Sequence, residues 1–399
     1  MEESRRNFLM KAGKVLLVVG GSAYALRTCD AIPDSAAEAW KGPEADPEDI
    51  RLWALSYAIL SPSPSNMQPW KVDLRIADDL IRLYIDEARL LPEADPYARE
   101  TGIAMGGFIE SLSIAASKQG YRADTSYFPE GSLLSDNLGK RPIADIRLVK
   151  DDTVQVDPLF DYLLERRTNR QFYLTTPLES KHREALQSAM TADQITVDFV
   201  SKKEEVDKVK VIAAKAVGVE MTNPATMKES VDNTRIGAGS IDDNRDGKAL
   251  NGIMIWWLKK TGRLSESNAA VPGSFGYNAI FASETSHLLA TPGFVLFESG
   301  GNSREGQLVM GRAYLRFNLL ATSLGVSVHP VNHVLADYDA MTETREEFHH
   351  LLNKSNVRRV HMLVRVGYAL EDMPAPTARR ALEEIVLKDD EENGQKVES

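Results

Sequence analysis

A single cysteine, Cys29, excludes an intrachain disulfide and any zinc or iron–sulfur centre built on several thiolates. Basic residues show no nucleic-acid footprint: 47 Lys and Arg are scattered among 58 Asp and Glu, for a net charge of −11, so no nucleic-acid partner is expected. Several motifs are missing as well. In "GSLLSDNLGK" Gly131 stands eight residues before Gly139, too far for a phosphate-cradling P-loop, and "GAGSID" lacks the third glycine of a dinucleotide fingerprint. No G-x-S-x-G elbow or H-E-x-x-H helix occurs. His329, His333 and Asp337 follow at four-residue steps, but Pro330 breaks the helix that would align them, so no metal is expected.

What is present is an ordinary globular composition, 43% hydrophobic and 26% charged, long enough for one large or two medium domains. The chain opens with Arg5 and Arg6 ahead of a short apolar run, Val15 to Leu26, well below the ~20 residues a spanning helix needs. Ser4-Arg5-Arg6-Asn7-Phe8-Leu9-Met10-Lys11 resembles the bacterial twin-arginine signal throughout. With Ala23-Tyr24-Ala25 as a small-residue cleavage site, a signal over 1–25 and a mature start at Leu26 are expected, the twin-arginine translocase being a partner during export to the periplasm or beyond. Lipidation of Cys29 is the weaker alternative, since Arg27 and Thr28 stand where small neutral residues are wanted. That route carries folded proteins, which makes a bound cofactor the first hypothesis.

Residues 26–47 are polar and proline-bearing and read as a linker. "PEDIRLWALSYAIL" reads as a helix, "WKVDLRI" and "LIRLYID" alternate as strands, and "ETGIAMGGFIESLSIAASKQGYRA" is a buried helix stopped by Gly120. "PIADIRLV" closes a first α+β half, 48–150. A second half, 151–385, opens with helix, loop and helix over "DPLFDYLLERRTNRQFYLTTPLESKHREALQSAM" and adds strands at "ITVDFV", "GFVLFES", "VSVHP" and "HMLVRVGYA". Its helix "LVMGRAYLRFNLLATSLGV" aligns with the buried helix of the first half at one offset, matching Met105 with Met310, Gly106 with Gly311, Ala116 with Ala321 and Gly120 with Gly325. This reads as an internal repeat, although close helix packing would ask for paired glycines by itself. Residues 219–289 fit neither copy. They carry the polar "IGAGSIDDNRDGK" and a helix with Ile253, Trp256 and Trp257 on one face, either a lid over a site or a peripheral helix. Residues 386–399 form a polar tail.

Two loops carry chemistry. "ERRTNR", Glu165 to Arg170, sets three guanidinium groups and a hydroxyl within five residues, either a solvated patch or an anion site. "LSPSPSNMQPWKV" is rigidified by Pro62, Pro64 and Pro69 and presents Ser63, Ser65, Asn66 and Gln68 before Trp70. Together these segments resemble the nitroreductase family of FMN-dependent flavoproteins, in which a loop of the form S-P-S-x-x-N-x-Q-P-W holds the flavin ring and an R-x-S/T-x-R/K segment holds its phosphate. "SPSPSNMQPW" matches every fixed position of that loop.

The resemblance implies FMN bound by Ser63, Ser65, Asn66 and Gln68, by Arg166, Arg167, Thr168 and Arg170, and by Pro330, Asn332 and His333 at the flavin N5 edge. Arg379 or Arg380 would approach the phosphate. The acidic-glycine pair common at the N5 side is absent. The first half has the serine loop and the second the arginine segment, which resembles the fused, two-lobed, Acg-like branch. The implied fold is α+β, nitroreductase-like, with two similar halves forming a pseudo-dimer in one chain plus a lid-like insertion, so a monomer can bind the cofactor. The implied activity is an exported oxidoreductase passing electrons from a small-molecule donor to a quinone- or nitro-type acceptor, without a side-chain acid or base. The alternative is a protein that holds flavin without turnover. Replacing Arg5 and Arg6 together by lysine is expected to leave full-length precursor in the cytoplasm, and normal export of that variant would refute the signal.

Overall fold

The computed structural model describes residues 30–43, 48–134, 136–189, 195–352 and 358–388. The expected signal, Cys29 and all but the first three residues of the tail lie outside them. In chain order the elements are α1 (Ile50–Ala58), β1 (Trp70–Asp73), β2 (Leu80–Ile85), α2 (Arg99–Lys118), β3 (Tyr121–Tyr127) and β4 (Ala144–Lys150), followed by α3 (Ser180–Ser188), β5 (Thr196–Val200) and α4 (Lys203–Thr222). Then come α5 (Pro224–Asp232), β6 (Thr234–Ile236), α6 (Ala238–Asn244), β7 (Lys248–Leu250), α7 (Ile253–Lys260), α8 (Glu266–Ala269) and α9 (Phe275–Leu289). The chain closes with β8 (Gly293–Ser299), α10 (Arg304–Ser323), β9 (Ser327–Pro330), α11 (Thr342–Leu351) and β10 (Arg359–Gly367).

The four strands of the first half form an antiparallel sheet in the order β1-β2-β4-β3, and those of the second form another in the order β5-β8-β10-β9. Taken as first, second, fourth and third strand, the two orders are the same. In each half the long helix joins the second strand to the third. The helices α2 and α10 span 20 residues each at a constant offset of 205, and the offset also matches Arg99 with Arg304 and Glu100 with Glu305. Both end at a glycine of positive φ, Gly120 at 71° and Gly325 at 67°, the left-handed turn that ends a helix without steric cost. Equal strand order, helix length and helix stop are the arrangement a duplication produces.

These two helices pack on each other at the middle of the molecule. A Cβ on Gly106 would lie 1.9 Å from the carbonyl oxygen of Leu308, and one on Gly311 1.8 Å from that of Ile103. Leu308 and Ile103 are themselves equivalent by the offset, so the contact is reciprocal. Around it, Met105, Phe108, Leu112, Leu315 and Leu319 share the first hydrophobic core with residues of the first sheet.

The packing crosses the sequence boundary at residue 150. Leu163 and Ile385 sit in the first core. The backbone of Val72 donates to Ile385 and accepts from Leu387, both at 2.8 Å. The helix expected over the start of the second half is a 3-10 turn at Phe160–Tyr162, because Leu159, Phe160 and Leu163 dock on the first core instead of lining one helix face. The polar "IGAGSIDDNRDGK" is likewise no plain loop: it spans the end of β6, α6 and the start of β7, two parallel strands around a short helix. The insertion encloses its own small core of Val217, Met221, Val231, Ile236, Leu258 and Ile280.

The glycine contact generates a test. Gly311→Ala forces a methyl into backbone and should cost at least ~2 kcal/mol of stability by overpacking. A methyl added to Gly218 in α4 would meet nothing within 4 Å, so Gly218→Ala should be neutral or stabilise by ~0.5–1 kcal/mol. Urea unfolding of both variants reads the difference, and equal midpoints would refute the close crossing.

Candidate functional site

The loop after α1 carries backbone strain. Ser65, Asn66 and Gln68 hold φ values of 46°, 57° and 52°, in the left-handed region that residues other than glycine rarely occupy. Specific bonds impose this shape. The Ser63 hydroxyl accepts from the Gln68 backbone at 2.9 Å, the Asn66 carbonyl accepts from Gly247 at 3.2 Å, and Asn66 Oδ1 accepts from Arg379 Nη1 at 2.6 Å. Behind the loop Trp70 is fully buried against Phe108, which anchors the strand that follows.

The arginine segment is pinned by a residue that sequence reasoning passed over, Asn169. Its backbone N–H donates to the Val328 carbonyl, its side-chain amide donates to the Ser327 hydroxyl, and its Oδ1 accepts from Gln171. Asn169 thereby ties "RRTNR" to β9, whose far end leads to Pro330 and Asn332. Asn332 Oδ1 accepts the Leu363 backbone N–H at 2.9 Å, which holds the turn against β10.

Ser63, Ser65, Asn66, Arg166, Arg167, Thr168, Arg170, Pro330, Asn332 and His333 all line one cavity of about 660 Å³. That size lies within the usual range for small-molecule and cofactor sites. The cavity is thus lined by the serine loop before β1 and by the arginine segment after β4. Two expected residues do not face it. Gln68 is fully buried, donates to the carbonyls of Asn66 and Arg245, and accepts the Arg380 backbone N–H. Arg380 lies against the Gln68 carbonyl, with Asp86 and Glu384 at 3.6 and 3.5 Å, so acids already neutralise it and it braces the loop from behind. Its neighbour Arg379 is the one that lines the cavity.

Arg166, Arg167 and Arg379 gather around Trp40, with guanidinium carbons 5.6, 4.1 and 5.0 Å from the ring. Arg379 donates to the carbonyls of Leu60 and Ser61, and Arg166 also donates to Leu60, just past the C-terminal end of α1 where backbone carbonyls carry partial negative charge. Arg167 donates to the carbonyls of Leu164 and Arg166. Among the described residues no carboxylate forms an ion pair with any of the three. Arg166 is 3% exposed, and its Nη1 has no partner. Burial pushes Arg166 and Arg167 down to about 10, and burial, then Arg166 and Arg167, push Arg379 well below the ordinary arginine value. Carbonyl dipoles and a ring face position these cations without cancelling their charge, which is the condition for binding an anion.

Trp40 belongs to the stretch read as a linker. Residues 30–43 instead form a strap: the Asp30 carboxylate accepts from the Ala238 backbone, Ser35 donates to Asp242, the Ala36 carbonyl accepts from Arg379, and the Trp40 indole donates to the Thr377 carbonyl. A lone tryptophan in polar sequence was the available signal.

Arg170 stands apart from the other arginines. Its Nη1 is 3.9 Å from Glu284 Oε1, which Lys248 approaches at 3.3 Å while donating to Ser230. Burial opposes ionisation of Glu284, yet Lys248 and then Arg170 hold its carboxyl far below the usual range. Lys248 and Glu284 come from the insertion, as do Asn251 and Gly247 in the same wall. The helix bearing Trp256 and Trp257 lines none of it; both rings are over 40% exposed on the outer surface. His333 Nε2 lies 3.7 Å from Glu220 Oε2.

The repeat predicts a second, equivalent cavity, and its key position has diverged. Gly107 lines the cavity, and its equivalent by the offset is Arg312. Arg312 donates to Glu110 and to the Tyr127 hydroxyl, and Glu110 also pairs with Arg316, which reaches Asp157. A paired charge network thus stands where the first half keeps a bare helix surface.

No protein-family model matches the chain, and no curated protein does. Among solved structures, an FMN-bound nitroreductase from Bacteroides fragilis is similar at 14% identity and a TM-score of 0.34, over 56% of this chain and 95% of its own. A nitroreductase-like family protein from Bacillus cereus is similar at 13% identity and a TM-score of 0.31, over 57% and 94%. An FMN- and NADPH-dependent nitroreductase from Sphigopyxis sp. strain HMH is similar at 13% identity and a TM-score of 0.37, over 58% and 99%. Each of these chains is covered almost end to end by little more than half of this one.

Proposed function

We propose that this chain is a flavoprotein of nitroreductase type that binds one FMN in the cavity and exchanges electrons between small molecules, a quinone- or nitro-type compound being the acceptor. The observation that carries this reading is the trio Arg166, Arg167 and Arg379, three cations without a carboxylate partner, of which Arg166 and Arg379 are buried and each keeps an orphaned donor. A phosphate monoester supplies what that pocket lacks, and arginine forks match its oxygens. The residues present fit the group. Thr168 adds a hydroxyl beside the arginines, and the strained loop of Ser63, Ser65 and Asn66 offers small donors and acceptors in the same cavity. When bound, FMN supplies two-electron chemistry that the side chains themselves do not. The loop and β9 would hold the ring, Arg170 and Lys248 would stand in the same cavity, and the strap and insertion would limit water entry. The single open Gly107 position against the filled Arg312 position favours one cofactor per chain, so a monomer is sufficient. Export by the twin-arginine route, after the cofactor is bound, belongs to the same proposal.

A second reading, a protein that holds flavin without turnover, is favoured by Trp40 lying over the arginines and by the missing acidic-glycine pair. Photoreduced protein mixed with a soluble quinone distinguishes them: reoxidation within seconds supports the oxidoreductase, and reoxidation no faster than in buffer alone supports storage.

FMN should bind more tightly than riboflavin, because charge-assisted hydrogen bonds contribute ~1.5–3 kcal/mol each. Arg167→Ala should lower FMN affinity at least tenfold with little effect on riboflavin, and Arg379→Ala should lower FMN affinity at least tenfold while also weakening riboflavin, because Arg379 holds Asn66 in the loop. Arg170→Ala should leave the preference for FMN intact, since Arg170 faces Glu284. Fluorescence titration reads all three, and a preference that survives both Arg167→Ala and Arg379→Ala would remove the phosphate from that pocket. Absorbance with light scattering should give one FMN per monomer, and two would overturn the single-site reading.

A further inference from the structure

The insertion contains a surface that the proposed function leaves unused. From Asn251 to Ser265 the chain has no acidic residue, although the whole protein carries −11. The same stretch holds Lys259, Lys260 and Arg263. Helix α7 packs Leu258 and Ile255 on the insertion's core and leaves Met254, Trp256 and Trp257 each more than 40% exposed. Two adjacent exposed indoles are costly to leave in water and uncommon on a soluble surface.

The cations accompany the rings. Lys260 Nζ lies 5.9 Å from the Trp256 ring, and the Arg263 guanidinium lies 5.2 Å from that of Trp257. Lys259 is tied to the Ile236 carbonyl and secures the helix to β6. Indole bodies flanked by long basic side chains form the chemistry of a membrane–water interface, where the ring enters the headgroup level and the cation meets lipid phosphate. No helix among the described residues is long and apolar enough to cross a membrane, so such contact lies on the surface and does not span it.

We infer that α7 and the turn to Arg263 form a docking surface for an anionic lipid bilayer, with Trp256 and Trp257 inserting at headgroup depth and Lys260 and Arg263 pairing with lipid phosphates. Charge complementarity selects this occupant: a run with three cations and no acid between Asn251 and Ser265, on a protein otherwise repelled by anionic surfaces, gains from an anionic partner. The surface is also coupled to the cavity. Asn251 lines the cavity and the next residue, Gly252, caps α7. The docking helix thus directly follows a residue of the cavity wall. The docking itself does not rest on flavin binding.

Co-sedimentation of the full mature chain with phosphatidylcholine vesicles, with and without one-third phosphatidylglycerol, tests the inference. Binding is expected only with the anionic lipid and should weaken as salt rises. Lys260→Glu with Arg263→Glu should reduce the partition coefficient at least tenfold, from roughly fivefold per basic side chain near an anionic surface. Trp256→Ala with Trp257→Ala should reduce it similarly and abolish quenching of tryptophan emission by brominated lipid. Val211→Ala, at an exposed apolar position on α4, should change nothing. The inference is overturned if anionic vesicles are not bound at low salt, if the double tryptophan variant binds as well as the parent, or if that variant converts a dimer to a monomer in light scattering without affecting sedimentation.

Discussion

Everything that positions the site hangs on two helices pressed together at backbone distance. Gly106 rests on the Leu308 carbonyl and Gly311 on that of Ile103, so neither helix can rotate or slide without driving an atom into the other. Because α2 belongs to the first half and α10 to the second, this contact sets how far the serine loop stands from the arginine segment. Ile103, Gly107, Gly311 and Tyr314 from the same pair of helices line the cavity. The packing contact and the cavity wall are thus one structure.

The symmetry of that contact makes the asymmetry around it meaningful. Two sheets with the same strand order and two helices of equal length would give two equivalent cavities if the side chains had stayed alike. They have not: the first copy keeps Gly107, while the second has Arg312 bonded to Glu110, an acid that Arg316 also pairs with. Filling one side with satisfied charges costs little, since each guanidinium there has a carboxylate. Leaving the other side bare preserves a cavity bordered by cations that have none. The contrast between paired and unpaired arginines, within one chain, separates a structural ion network from the arginine cluster of the cavity.

The elements that enclose the cavity come from outside the repeat. The strap of residues 30–43 brings Trp40 to the arginines, and the insertion brings Lys248 and Glu284 to Arg170. Both are joined to each other as well as to the halves, through Asp30 with Ala238 and Ser35 with Asp242. Closure is therefore a property of segments that neither copy of the repeat contains, while the apolar face of α7 on the outside of the insertion remains open to a partner.

Local pattern determined a good deal. Short alternating or apolar runs marked most strands of the two sheets, because side-chain direction in a strand depends only on neighbouring residues. The offset of 205 already marked the glycines that meet at the centre, and "SPSPSNMQPW" and "RRTNR" were legible as a pair. What sequence could not determine is which atoms a residue meets once the chain turns back on itself. Arg379 and Arg380 are adjacent and chemically identical, yet one enters the cavity and the other is neutralised by Asp86 and Glu384. Arg170 sits three residues from Arg167 of the arginine cluster but faces a carboxylate brought in from more than a hundred residues away. Trp40 read as linker because its partners, Arg166, Arg167 and Arg379, are distant in the chain. In most of these contacts the deciding term is charge or ring contact between segments far apart in sequence, which only the folded chain brings together.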